Sequence, residues 1–143
     1  MNPARIVLIE DNPGDVFLVK MALTDSGIDY RLWEFRSGID AVLELCKRSS
    51  EESPAPDAIL LDLNTPRTDG FQALQQFKQT ARLSNVPIAV LTSSQAQADK
   101  QRAAQNGATY IEKPSGLKEF LSVVGGTVKK MLETRGTATS SAH

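Results

Sequence analysis

One cysteine, one histidine and one tryptophan stand among 143 residues, and the first two scarcities each remove a class of chemistry. The lone Cys46 excludes an intramolecular disulfide and any site built from several thiolates, so a reduced, cytosolic setting is the simplest expectation. His143, the sole histidine, is the last residue and reads as a remnant of expression rather than a catalyst. No surplus of either charge exists: 16 Lys and Arg against 17 Asp and Glu give a formal charge of −1. A phosphate-tracking surface needs a clear basic excess, so general nucleic-acid binding is excluded. No window approaches the roughly 20 apolar residues of a membrane span. The start Met1-Asn2-Pro3-Ala4-Arg5 leads into a strand-like run, without the long apolar stretch of a signal peptide. A soluble, cytoplasmic single domain with one substantial core is therefore expected.

What is there is placed with regularity. Ile6-Val7-Leu8-Ile9 runs into Glu10-Asp11, and Ala58-Ile59-Leu60-Leu61 runs into Asp62. Ile88-Ala89-Val90-Leu91 runs into Thr92-Ser93, and Tyr110-Ile111-Glu112 runs into Lys113-Pro114. Unbroken Val, Ile and Leu without alternation is the pattern of strands buried on both faces, and such strands belong to parallel sheets. Ligands of an open parallel sheet bind in the crevice beyond the carboxyl ends of its strands. As neighbouring parallel strands, the four runs would bring Glu10, Asp11, Asp62, Thr92 and Lys113 to one crevice. Clustered carboxylates repel, so the crevice calls for a divalent cation, a proton or the lysine to hold it together. Oxygen-only ligation with few protein groups suits Mg²⁺.

Strands and helices alternate along the chain. Strands are expected at Arg5–Ile9, Tyr30–Phe35, Ala58–Leu61, Pro87–Leu91 and Tyr110–Glu112, the second more polar and so nearer a sheet edge. Asp11-Asn12-Pro13-Gly14-Asp15 is a turn rich in helix-starting residues, and Val16–Leu23 follows at helical spacing until Ser26-Gly27. A second helix is expected at Ile39–Cys46, with Ile39, Val42, Leu43 and Cys46 on one apolar face. Ser49–Pro56 is a solvated loop. Helices are also expected at Phe71–Phe77 after the Asp69-Gly70 turn, at the polar Gln97–Gln105 ended by Asn106-Gly107, and at Leu117–Leu132. Residues 133–143 read as a frayed, disordered tail behind a domain of residues 1–132. Five βα units in order give a doubly wound α/β domain with a parallel sheet and helices on both faces.

Four stretches together carry a resemblance: Ile9-Glu10-Asp11-Asn12-Pro13, Leu60-Leu61-Asp62-Leu63-Asn64-Thr65-Pro66-Arg67-Thr68-Asp69-Gly70, Leu91-Thr92-Ser93-Ser94 and Glu112-Lys113-Pro114. In this order, over Arg5 to Leu132, they resemble a bacterial response-regulator receiver domain of two-component signalling. The long loop before the third strand, the Asp-Leu-Asn-x-Pro form and the lack of an output domain resemble stand-alone regulators of the cyanobacterial-phytochrome type.

The resemblance implies a flavodoxin-like sheet ordered 2-1-3-4-5. It implies that Asp62 accepts a phosphoryl group from a sensor histidine kinase, such as a phytochrome-like one, or from a phosphotransfer protein. Asp11 chiefly, and Glu10, would hold Mg²⁺, with Asp62 and the backbone carbonyl of Asn64 completing the protein ligands. Lys113 would pair with the phosphoryl oxygens and Thr92 would donate its hydroxyl to another. The Lys113–Pro114 bond matches a position that is cis in the family. Tyr110 matches an aromatic that turns inward when the threonine moves toward the phosphoryl group. Output, and a homodimer, would use the face built from Gln95–Asn106, Thr109–Glu112 and the final helix. Such a domain catalyses only its own phosphorylation and dephosphorylation.

Plainer readings stand beside each residue. Glu10 and Asp11 suit a solvated strand end and helix cap, Lys113 a surface lysine, Thr92 ordinary β propensity and Tyr110 an ordinary strand aromatic. The conjunction at one sheet edge favours the site. Asp57 precedes its strand, lies at the opposite edge and reads as a turn residue. A haloacid-dehalogenase-like phosphohydrolase is suggested by Asp62-Leu63-Asn64-Thr65, but Asn64 stands where a general acid is needed and cannot transfer a proton. A flavin-binding protein of the same topology lacks its phosphate loop after the first strand. A pseudo-receiver that only binds partners is disfavoured by the intact Asp11, Asp62, Thr92 and Lys113.

Overall fold

The apolar runs become the interior of one parallel sheet. The computed structural model describes residues 3–46, 55–63, 69–93 and 97–141, with only the backbone followed at 69 and from 134 onward. The elements are β1 (Ala4–Ile9), α1 (Pro13–Asp25), β2 (Tyr30–Phe35), α2 (Gly38–Leu45) and β3 (Ala58–Asp62), followed by α3 (Asp69–Gln79), β4 (Ile88–Thr92), α4 (Gln97–Gln105), β5 (Thr109–Glu112) and α5 (Leu117–Ser141). The sheet order is β2-β1-β3-β4-β5, every pair parallel. The expected doubly wound architecture is thus present, with the more polar β2 at one edge.

Successive strand residues point to opposite faces, so each unbroken run supplies two cores at once. Ile6, Leu8, Leu60, Leu91 and Ile111 pack against Val16, Val19 and Leu23 of α1 and Phe120, Val124 and Val128 of α5. Val7, Ile9, Ile59, Leu61 and Val90 pack against Ala41 and Leu45 of α2, Leu74 and Phe77 of α3, and Ala103 of α4. The first layer closes tightly: a Cβ at Gly125 of α5 would lie 2.6 Å from the Ala22 carbonyl oxygen of α1. Gly27 and Gly107, at φ of 75° and 69°, take the left-handed turn that ends α1 and α4, as Ser26-Gly27 and Asn106-Gly107 predict. The Arg82 guanidinium donates to the Leu45 carbonyl and so caps the last turn of α2.

Two expectations change. Ile39 and Leu43 are 57% and 49% exposed, whereas Gly38, Ala41 and Leu45 are buried. The helix carries two overlapping apolar stripes, and the one through Gly38, Ala41 and Leu45 is the one that faces the core. α5 continues to Ser141, past Leu132 where its apolar periodicity ends. Each residue added to an established helix gains one hydrogen bond, so extension needs no buried face. Of the Ser49–Pro56 loop, residues 49–54 lie outside the described residues, as do Asn64, Gln95 and His143.

Candidate functional site

β1 delivers Glu10 to the carboxyl edge, where its N–H bonds the Phe35 carbonyl of β2 at 2.9 Å. Glu10 is buried, and one carboxylate oxygen accepts the Asn12 N–H at 3.0 Å, which fixes the first turn after the strand. Asn12 then caps α1, its side-chain oxygen accepting from Gly14 and Asp15 N–H at 2.8 and 3.2 Å. Pro13 fills the first helical turn, where its missing N–H costs nothing, and Asp15 sits beside the positive end of the helix dipole. The turn therefore has a double use. It starts a helix, and it aims that helix's first acidic side chain at the sheet edge.

β3 ends in Asp62, level with Leu91 of β4, and Asp62 is 7% exposed. β4 ends in Thr92, 1% exposed, level with Glu112 of β5. The Lys113 N–H donates to the Thr92 carbonyl at 2.8 Å, so the lysine leaves β5 already tied to β4. Its ammonium reaches across the edge to Asp62 Oδ2 at 2.6 Å, Asp15 Oδ2 at 3.2 Å and Glu10 Oε2 at 3.9 Å. The Glu10, Asp62 and Lys113 side chains are all at least nine-tenths buried, while Asp15 is 29% exposed. Among the described residues no buried side-chain nitrogen or oxygen lacks a hydrogen-bond partner.

Three carboxylates around one ammonium leave uncompensated negative charge, and low-dielectric surroundings make that charge costly. Glu10, Asp15 and Asp62 each offer an oxygen, all within 4.8 Å of one another. An oxygen-only set of this kind fits a small hard divalent cation. Asp11 is exposed and is not one of the three; it lines a neighbouring surface cleft with Glu10, Phe17, Lys20 and Glu34.

The structure thus brings Glu10, Asp62, Thr92 and Lys113 to one edge and leaves Asp11 at its rim. Asp57 lies at the amino end of β3, accepting the Arg5 N–H at 2.8 Å, and is a structural turn residue. The Lys113–Pro114 bond is trans, not cis. Proline narrows the gap between isomers to about 0.5–1 kcal/mol, so it permits cis without demanding it. Asp15 is the residue that sequence reasoning missed. Its signal was its place in the first turn of a helix that starts at the carboxyl edge.

Tyr110 pairs with Val90, one diagonal step from Thr92 on the same face. It is half-buried against the α2–α4 layer, whereas Ile111 is buried in the opposite layer. The Lys100 ammonium of α4 stands 5.8 Å from the Tyr110 ring centroid. No helix among the described residues is long and apolar enough to cross a membrane.

A parallel 2-1-3-4-5 sheet with an acidic crevice and a lysine at its carboxyl edge defines a phosphoryl-signalling domain of the flavodoxin-like class. The chain belongs to the response regulator receiver domain family, whose profile matches residues 6–125. It is 36% identical to the response regulator Rcp1 of Synechocystis sp., over 93% of this chain and 92% of that one. The structure of the phosphorylated cyanobacterial phytochrome response regulator RcpA superposes with a TM-score of 0.81 at 30% identity, over 93% and 96% of the two chains. The Mn²⁺-bound form of Rcp1 superposes at 0.79 with 36% identity, over 92% and 96%. The protein is a receiver-domain response regulator, and neither the phosphohydrolase nor the pseudo-receiver reading is favoured.

Proposed function

We propose that Asp62 is the phosphoryl acceptor and that Glu10, Asp11 and Asp62, with the Asn64 carbonyl, hold Mg²⁺. The observation that carries this is the buried Asp62 carboxylate, held 2.6 Å from the Lys113 ammonium at the end of a wholly buried strand. One Asp62 oxygen forms a bond to the donor's phosphorus while the bond from phosphorus to the donor atom breaks, its electron pair leaving with the donor. Lys113 then moves onto a phosphoryl oxygen, and the Thr92 hydroxyl donates to another. Mg²⁺, when bound, neutralises the charge of the phosphoryl oxygens, which supplies most of the catalysis in phosphoryl transfer. That the related Rcp1 has a Mn²⁺-bound form supports a divalent cation for this domain.

The donor is a sensor histidine kinase or a phosphotransfer protein, and the likeness to Rcp1 and RcpA supports a phytochrome-type kinase. Phosphorylation draws Thr92 toward the phosphoryl group and biases Tyr110 inward, altering the face of α4, β5 and α5, through which the domain meets its partners or a second copy. The domain works in the cytoplasm and turns over no substrate beyond its own phosphoryl group.

Acetyl phosphate with Mg²⁺ should label the wild type on a phosphate-affinity gel. Asp62→Asn should abolish the label with the fold retained, and Asp57→Asn should leave it intact. Undiminished labelling of Asp62→Asn overturns the assignment.

A further inference from the structure

We infer that Asp15 is a positioning residue that holds Lys113 away from the phosphoryl position and so sets how readily the site accepts a phosphoryl group. The inference rests on the proposed function. It adds to the acceptor site a residue whose visible sequence role is only to start a helix.

An ammonium has three N–H donors and no acceptor. In the resting site two are engaged at hydrogen-bond distance, by Asp62 Oδ2 at 2.6 Å and Asp15 Oδ2 at 3.2 Å, and Glu10 lies at 3.9 Å. Phosphorylation changes these partners unequally. As an acyl phosphate the Asp62 carboxyl no longer carries its own charge, so Lys113 gains by leaving it for a phosphoryl oxygen. Asp15 belongs to α1 rather than to the sheet. Although its oxygen lies within 4.8 Å of those of Glu10 and Asp62, the proposed Mg²⁺ ligands are Glu10, Asp11, Asp62 and the Asn64 carbonyl, which leaves the Asp15 carboxylate to the lysine. Its pull on the resting lysine must therefore be overcome before Lys113 can reach the phosphoryl group. At 29% side-chain exposure the carboxylate so released is open to water.

The lysine therefore moves between a fixed anchor and a new anion. Removing the anchor frees the ammonium for the phosphoryl group. The opposite view is that Asp15 merely repels phosphoryl oxygens by its charge. The two separate cleanly, because repulsion does not need Lys113.

Beryllofluoride with saturating Mg²⁺ serves as the probe, with affinities measured by calorimetry on the full chain. Asp15→Asn should bind the phosphoryl mimic about tenfold more tightly than wild type, the scale of one hydrogen bond between charged groups. In a Lys113→Gln background the same substitution should change affinity by less than about twofold, since a coupling energy vanishes when one partner is absent. Asp15→Glu, which restores a carboxylate, should return toward the wild-type value. An equal gain with and without Lys113 overturns the inference in favour of simple repulsion, and so does no gain from Asp15→Asn.

Should Lys113→Gln fail to fold, exchange of the Lys113 ammonium protons in lysine-labelled protein decides. Exchange should be faster in resting Asp15→Asn than in resting wild type, and equal in the two beryllofluoride complexes. Equal exchange at rest overturns the inference. Failure of wild type itself to bind beryllofluoride overturns both this inference and the acceptor assignment. Tight wild-type binding that is indifferent to Asp15 overturns this inference alone.

Discussion

The carboxyl edge of the central strands and the α4–β5 flank belong to one sheet but are built in opposite ways. Every residue of β3 and β4 is buried, including Asp62 and Thr92 at their ends. β5 has one buried residue among four, Ile111, and α4 buries only Ala103. At the edge, charges are close, dry and multiply bonded. On the flank, polar side chains such as Gln101 meet water, and the aromatic contact from Lys100 to Tyr110 is long. A phosphoryl site needs fixed atoms, because misplaced groups lose catalysis steeply. A surface that must report the event needs the reverse, since moving elements are drawn from the less stable part of a fold. The division of labour is written into burial.

The largest effect that bears on this contrast is a cavity in the rigid part. Leu60 is fully buried between α1 and α5, so Leu60→Ala should lower unfolding stability by about 2–5 kcal/mol in urea. Gln101→Ala on α4 should stay within about 0.5 kcal/mol, as exposed substitutions do. Comparable losses at both positions would break the comparison.

A smaller effect tests whether the two regions communicate. On the proposed reading, Thr92→Ala keeps the backbone carbonyl that holds Lys113 but removes the hydroxyl that follows the phosphoryl group. Beryllofluoride should still bind at Asp62, weakened about tenfold by the loss of one charge-assisted hydrogen bond. Tyr110 should then keep its resting solvent exposure, read by ring fluorescence quenching or NMR, whereas in wild type it should become buried. A Tyr110 response that survives Thr92→Ala would route the signal elsewhere.

The rigid region was also the more legible one. Asp62 declared itself because four apolar residues run without interruption into a carboxylate, which burial alone does not explain. Glu10 and Lys113 follow by the same logic, and the order of runs dictates the sheet. Asp15 was illegible because a first-turn acid serves a helix start whether or not it also reaches a lysine 98 residues away in sequence. Its reach depends on the direction in which α1 leaves the sheet, which no local pattern encodes. The buried face of α2 was misread for a related reason: Ile39 and Leu43 satisfy helical periodicity as well as Ala41 and Leu45, and only close packing selects between them. The reach of α5 beyond Leu132 carries no side-chain pattern at all.

The smallest expected effect lies on the flank, at the amino end of β5 and away from the carboxyl edge. Lys78 ends α3, and a Cβ at Gly107 would sit 3.8 Å from its ammonium, which places the charge beside the turn between α4 and β5. Burial pushes its pKa below 10.5, because desolvation disfavours the charged form. Below the folded-state pKa the lysine is charged in both folded and unfolded chains, and the burial cost is fully present. As pH climbs from there toward 10.5, the folded chain sheds its proton first, the unfolded chain binds more protons, and stability rises. Above that range both forms are neutral and the cost is gone. A cation in the last turn also favours the helix dipole, and this opposes the burial cost at neutral pH. Lys78→Gln should therefore change stability near neutrality by less than about 0.5 kcal/mol. The difference between wild type and variant should nevertheless grow in favour of wild type as pH approaches 10.5. Taking that difference removes the titration of the other lysines and of tyrosine. A difference that stays flat with pH would mean the flank solvates its charges fully, and the contrast with the buried edge would then be sharper still.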